Sequence, residues 1–300
     1  MGIKYKKNLR RQERGKDMDF IKDILRGAMI GVANIIPGVS GGTMMVSMGI
    51  YDKIISAINH IFKEFKKSIK TLLPYGIGML ASIAGLSFCI TYFFGHFPLP
   101  TAFLFIGLIF GGLPVIFGGL KGKKADAGAV LIFVAFFAIV ILLQIFGGDK
   151  GNDRQLSVNA GEMGILLIMG VITSATMIIP GVSGSMVLMA LGYYTPIIGQ
   201  IRSFIEALTA FDMDGLLSGV ALLAPFGIGV LAGILLVARA IEFLLRRYPL
   251  YTYSGILGLV MASPVAVLMG IGVSAVSLPA VLVSALTFAL GFVAAFFLSR

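Results

Sequence analysis

Apolar residues in this chain fall in blocks rather than in alternation. Six uninterrupted blocks stand out: Leu72–Phe94, Thr101–Leu120, Ala125–Phe146, Val220–Leu245, Tyr251–Ile271 and Leu278–Leu298. Each is close to the roughly 20 residues that a helix needs to cross a bilayer. In lipid a segment must bond its own backbone groups, so each block predicts a helix. The short alternating segments of a membrane barrel are absent from the sequence. Two further blocks, at 20–57 and 161–201, are longer and carry Pro-Gly-Val-Ser-Gly at their centres (Pro37–Gly41 and Pro180–Gly184). Proline removes a backbone donor and glycine relaxes the dihedral limits. Each of these blocks should therefore break in the middle and return as a hairpin, either re-entrant or made of two short spans.

The two strings belong to an internal repeat. Residues 27–55 align with 170–198 at a constant offset of 143, with 12 identities in 29 positions. About three would be expected by chance at this composition. The likeness continues at an offset of 151, where Pro74-Tyr75-Gly76-Ile77-Gly78 matches Pro225-Phe226-Gly227-Ile228-Gly229, and Phe97-Pro98-Leu99 matches Tyr248-Pro249-Leu250. The chain divides into a basic tail (1–18), a first membrane repeat (19–148) and a second (160–300). Each repeat holds one broken hairpin and three further spans.

Composition agrees with a membrane protein. Hydrophobic residues make up 58% of the 300 and charged residues only 13%, against about 25% charged in soluble domains. The net charge of +10 comes from the tail and the short loops, so it reports orientation in the bilayer rather than a nucleic-acid partner. The tail (Lys4, Lys6, Lys7, Arg10, Arg11, Arg14, Lys16) and the loop with Lys63, Lys66, Lys67 and Lys70 read as cytoplasmic. Residues His96–Pro100 carry no Lys or Arg and read as outside, and Lys121, Lys123 and Lys124 as inside. Gly147–Ala160 is balanced and reads as outside, as does the segment with Glu206, Asp212 and Asp214. Arg246 and Arg247 read as inside, Gly270–Ser277 as outside and Arg300 as inside. Each half then crosses an odd number of times, and the second is inverted relative to the first. The expected fold is an all-α integral membrane protein of two inverted-topology repeats, an architecture of transporters. The tail lacks an apolar core of its own and reads as a cytoplasmic N-terminus rather than a cleaved signal peptide. The single Cys89 excludes an internal disulfide framework.

The candidate chemistry lies at the breaks. A helix restarting near Ser40 or Ser183 begins with unpaired N–H groups and the positive end of its dipole. Ser40, Gly41, Gly42 and Thr43, with Ser183, Gly184 and Ser185, offer hydroxyls and close backbone approach, which together suit an anion. The same residues could simply cap helices and allow tight packing. Arg239 is a charge within a block, costing about 3 kcal/mol at the bilayer centre and less near its edge. A phosphate would suit it, as would a pairing with Glu242 or snorkelling. Asn34 precedes the first break and is positioned to cap or bind; its counterpart is Met177. Arg26 reads as an interfacial anchor, with Arg26, Asn34 and Glu242 as accessory candidates. No metal or cofactor is implied, since His60 and His96 lack ligands at useful spacing and no phosphate-binding loop of ATPases is present.

The string Gly31-Val32-Ala33-Asn34-Ile35-Ile36-Pro37-Gly38-Val39-Ser40-Gly41-Gly42-Thr43, followed by Gly49-Ile50-Tyr51, resembles the signature of the bacterial polyprenyl-phosphate transporter family (PopT). The second copy, Pro180–Ser185 with Gly192-Tyr193-Tyr194, fits the same family. The resemblance spans nearly all of the chain beyond the tail and extends around Arg239 and Tyr248-Pro249. It implies a non-enzymatic flippase in the bacterial cytoplasmic membrane. Such a protein returns undecaprenyl phosphate from the outer to the inner leaflet, with the lipid bilayer and the polyprenyl phosphate as its partners. Its oligomeric state stays open, a homo-oligomer included. The rival readings are a small-anion channel or carrier and an enzyme acting on polyprenyl phosphates.

Overall fold

The computed structural model describes residues 19–34, 40–146, 156–271 and 277–299. The tail, Pro37-Gly38-Val39 of the first string, the charged stretch 147–155, residues 272–276 and Arg300 lie outside the described residues. So do the orientation readings that rest on them.

The described chain is helical throughout, with no strand among the described residues. The first half supplies α1 (19–34), α2 (Gly41–Ser47), α3 (Tyr51–Asn59), α4 (Phe65–His96), α5 (Pro98–Leu120) and α6 (Ala127–Phe146). The second supplies α7 (Ala160–Ile178), α8 (Gly184–Ala190), α9 (Tyr194–Ala210), α10 (Met213–Arg247), α11 (Pro249–Gly270) and α12 (Leu278–Leu298). Seven of them, α4 to α7 and α10 to α12, are long and apolar enough to cross a membrane.

Two boundaries differ from the apolar blocks. Helix α4 starts at Phe65 rather than Leu72, and α10 at Met213 rather than Val220. At about 1.5 Å per residue their 32 and 35 residues reach roughly 50 Å, beyond a hydrocarbon core of about 30 Å. Their polar turns continue the helix into water, where hydropathy no longer marks it. Each interrupted block is also broken twice, not once. After Ser40 and Ser183 the helix runs for only seven residues. It stops again at Gly49 (φ 68°) and Gly192 (φ 75°), in the left-handed region that a side chain resists. Both glycines are identities of the repeat.

Backbones meet closely at glycines, and the pattern recurs in both halves. Helix α1 lies against α4 and α7 against α10. A Cβ on Gly27 would overlap the Tyr75 carbonyl, and one on Gly78 the Ile24 carbonyl. In the second half Gly170 meets the Phe226 carbonyl and Gly229 that of Leu167. Small residues let helices approach where no hydrophobic drive exists between them. A second pair trades sides: Ser82 of α4 fills the space at Gly31, whereas Ser174 of α7 fills the space at Gly233. The halves then interlock, α5 packing on α12, α11 on α6, and α5 on α11. Half or more of the span in α5 and α11 is buried. Helices α6, α10 and α12 turn residues such as Leu131, Leu231 and Leu286 outward, as lipid-facing helices do.

The hairpins are packed unequally. Every residue of α2 is buried, but only Leu188 of α8. The main apolar core gathers around α2 and α3 and draws in α5, α10 and α11. Helix α3 is also held by polar ties. Lys53 reaches Asp23 of α1 at 2.8 Å and the Tyr75 hydroxyl of α4 at 3.0 Å, and Asn59 donates to the Ala238 carbonyl of α10 at 2.9 Å. In the second half, α9 packs against α10 of its own repeat, and no comparable contact joins it to α4 among the described residues.

Replacing Gly229 with leucine should therefore destabilise the detergent-purified protein by about 1–3 kcal/mol or more, the usual cost of overpacking. Gly227→Leu, where a Cβ meets nothing within 4 Å, should leave the thermal midpoint unchanged. Thermal unfolding of the two variants checks this.

Candidate functional site: the meeting of the two broken motifs

The breaks in the two repeats touch. Thr43, fully buried, accepts a hydrogen bond from the Gly181 N–H at 2.7 Å. The Ser40 hydroxyl donates to the Ile179 carbonyl at 3.4 Å. Gly42 lies against the backbone at Ile178 and Pro180, where a Cβ would come within 2.7 Å of the Ile178 carbonyl oxygen. Each contact joins α2 of the first half to the turn between α7 and α8 of the second.

In the described part of the first motif, the Ser40 hydroxyl and the Gly41 and Gly42 N–H groups are already engaged. Ser40 Oγ accepts from the Gly42 N–H at 3.2 Å, and Asn34 Oδ1 accepts from the Gly41 N–H at 3.1 Å. Asn34 thus caps α2, one of the two roles open to it from sequence. The second motif differs. No side chain caps α8, and the Ser183 and Ser185 hydroxyls face each other at 2.9 Å. Met177 stands where the first half has Asn34 and has no oxygen to offer.

A cavity of about 140 Å³ opens at this junction, lined by Asn34, Ser40, Thr173, Met177, Val182, Ser183, Gly184 and Ser185. No formal charge lines it. Its polar groups are the hydroxyls of Ser40, Thr173, Ser183 and Ser185, the Asn34 amide and the uncapped first turn of α8; the Thr173 hydroxyl donates to the Met169 carbonyl. At seven residues α8 has only a small dipole, so hydroxyls and individual N–H groups provide most of the pull on an anion. Gly41, Gly42 and Thr43 are buried and do not line the cavity; Gly42 and Thr43 join the halves, and Gly41 packs against Asn34 and Ile30 of its own half.

Thr173 and Met177 are lining residues that sequence reasoning passed over. They are four apart on α7 and so share its face, and Met177 matches Asn34 in the repeat. That correspondence could have found Met177. Thr173 pairs with Ile30, which gives no such hint.

The charged candidates lie elsewhere. Arg26 donates to Asp23 at 3.0 Å and to the Leu298 carbonyl at 2.6 Å, fastening α1 to the last turn of α12. A cation there also suits the negative end of the α12 dipole. Arg239 shares a separate cleft of about 310 Å³ with Asn59, His60, Lys63, Glu242 and Arg246. Glu242 bonds to Arg246 and Asn59 rather than to Arg239.

Among proteins of known families, the model of the undecaprenyl phosphate translocase-like family matches residues 30–280. A Staphylococcus aureus protein named polyprenyl-phosphate transporter is 30% identical over 93% of this chain and 95% of its own length. A Vibrio cholerae protein of the same name is 29% identical over 83% of this chain and 78% of its own. No solved structure matches the chain.

Thr43→Val keeps the shape of the buried contact but leaves the Gly181 N–H without an acceptor. It should destabilise the fold by about 1–3 kcal/mol, and Thr43→Ser by less, as read from unfolding midpoints in detergent.

Proposed function

We propose, from the premise that this chain belongs to the undecaprenyl phosphate translocase-like family, that it carries undecaprenyl phosphate from the outer to the inner leaflet of the bacterial cytoplasmic membrane. The lipid carrier of cell-wall building blocks is thereby recovered for reuse. The observation that carries this reading is the uncharged cavity where the two motifs meet, with Ser183 and Ser185 uncommitted to any backbone group.

A phosphate head needs donors in a place shielded from lipid, while a long hydrocarbon tail can remain in the bilayer. Serine hydroxyls and the first N–H groups of α8 hold such a head without the grip of clustered arginines, so it can leave again. Nothing in this scheme changes the phosphate covalently, in keeping with relatives named as transporters.

The two repeats are inverted, with the N-terminus in the cytoplasm. Loop charge supports this; the reciprocal packing of α5 with α12 and of α11 with α6 adds a two-fold relation between the repeats. Helix α3 and the Arg246 end of α10 then lie on the inner side, where Asn59 holds them together. The corresponding outer pair, α9 with α4, has no contact of that extent among the described residues. In this reading the conformation is closed inward and open outward, and rocking one hairpin against the other half would alternate access. Arg239 and Lys63, in their cleft beside α3, form an inner station for the head after it leaves the serines.

Ser183→Ala combined with Ser185→Ala should slow transbilayer movement of undecaprenyl phosphate in liposomes at least tenfold. That is about 1.4 kcal/mol, less than one typical hydrogen bond to a charged group. The thermal midpoint should hold. Adding Ser40→Ala should abolish movement and also cost about 1 kcal/mol of stability, because Ser40 is a cap. Wild-type flipping by the double variant would refute the site.

A further inference from the structure

Helices α3 and α4 enclose a polar cleft of about 380 Å³ that shares no lining residue with the cavity at the joint. Lys53, Ser56 and the C-cap His60 line it from α3, and the N-cap Glu64, Lys67 and Ser68 from α4. Ser68 is only 3% exposed, yet its hydroxyl bonds to no group among the described residues. It can donate to an oxygen that fills the cleft. The cations also have capacity to spare. Lys53 gives two of its three N–H groups to Asp23 and Tyr75. Lys67 pairs with Glu64 at 2.6 Å, but its side chain is 80% exposed, and a surface pair of that kind holds weakly. His60 donates from Nδ1 to the Ser56 carbonyl at 2.8 Å, which leaves Nε2 uncommitted.

The second repeat has the same cleft without the cations. At the offset of 143, Ala57 and His60 correspond to Gln200 and Ser203; at 151, Glu64 and Lys67 correspond to Gly215 and Ser218. All four counterparts line a cleft of about 420 Å³ between α9 and α10. The gap is therefore a product of the architecture, but its charge is not. The second cleft is lined by Glu206 and Asp212 and by no cation among the described residues, and Pro196 stands at the place of Lys53. The rule that puts cations at one membrane face is already served by the exposed Lys66 and Lys70, and it asks for no buried hydroxyl beside them.

Next to the cleft, α4 turns Phe65, Ile69 and Leu73 outward. They are four residues apart and so form one apolar stripe. A ligand with a phosphate and hydrocarbon chains fits both surfaces, and a free anion fits only one. At about 30 Å³ per water-sized group, the cleft has room for roughly a dozen heavy atoms, and a glycerol phosphate has about ten.

We propose that this cleft binds the phosphate head of an anionic glycerophospholipid of the adjoining leaflet. Lys53, Lys67 and Ser68 are the donors, and the acyl chains run along the stripe from Phe65 to Leu73. Basic pockets between membrane helices take such head groups. A phosphate held there bridges α3 to α4 and so tethers the first hairpin. The assignment does not depend on the reading of the joint as a phosphate site.

The test titrates the full chain, purified in detergent, with phosphatidylglycerol, phosphatidylcholine and inorganic phosphate. Native mass spectrometry counts the bound lipid. Wild-type protein should bind phosphatidylglycerol at least fivefold more tightly than phosphatidylcholine. Phosphatidylglycerol should also raise the thermal midpoint, and inorganic phosphate at the same concentration should not. Lys67→Gln with Ser68→Ala should lose the preference but keep the lipid-free midpoint, because Lys67 is exposed and the Ser68 hydroxyl bonds to nothing in the protein. Lys67→Gln alone, expected to lose part of the preference, serves if the pair does not fold. Lys66→Gln with Lys70→Gln removes two cations of the same helix that do not line the cleft, and should bind phosphatidylglycerol as the wild type does. Equal losses in the two double variants would mean that the charge of the segment, not the cleft, attracts the lipid, and would overturn the proposal. So would a preference that survives loss of Lys67 and Ser68, a wild type that does not distinguish the two lipids, or a midpoint raised as far by inorganic phosphate.

Discussion

A helix broken inside a bilayer releases N–H and C=O groups that lipid cannot satisfy, and each must find a partner within the protein. This chain breaks two helices there, and the breaks supply part of each other's needs. Thr43 takes the Gly181 N–H, and Ser40 meets the Ile179 carbonyl. Asn34 and Ser40 take the first amides of α2. The repeat therefore forms the joint between the halves. Glycine at position 42 is part of the same requirement, because a side chain there would part the two backbones.

The joint is not symmetric, and the asymmetry leaves a cavity beside it. In the first motif Ser40, Gly41 and Gly42 spend their donors on its own structure and on the other half. The second keeps two serines and an uncapped helix start in reserve. Around this joint the first hairpin is packed into the core, and the second is only partly covered. If both motifs were fully satisfied there would be no donors left for an anion. With neither satisfied, the unpaired groups would cost more than the packing returns.

Under the proposed function, neutral donors would set the strength of the site. A charged side chain in the cavity would hold a phosphate more firmly but would carry its own desolvation cost when empty. The cations of this region stand apart. Arg26 is committed to the end of α12, and Arg239 lies in its own cleft next to α3. The cavity at the joint is thus uncharged, and the cations lie outside it.

Much of the architecture follows from the sequence alone, because a bilayer imposes simple rules. Apolar length marks the spans of α5, α6, α11 and α12. The duplicated Pro-Gly-Val-Ser-Gly marks the breaks, and Ser40 and Ser183 do precede the helix restarts. Hydropathy could not find the true starts of α4 and α10, which leave the membrane as helices. It also passed over the second break at Gly49 and Gly192, since apolar residues flank both. For the candidate site, local pattern marked residues whose chemistry suits an anion, but not which of them have uncommitted donors. Ser40, Ser183, Gly184 and Ser185 line the cavity; Gly42 and Thr43 are used in the joint; Gly41 is held by Asn34; Arg239 is elsewhere. That division depends on which hydrogen bonds form across residues more than a hundred positions apart. Such contacts are set by packing of the two halves and leave no trace in either repeat read by itself.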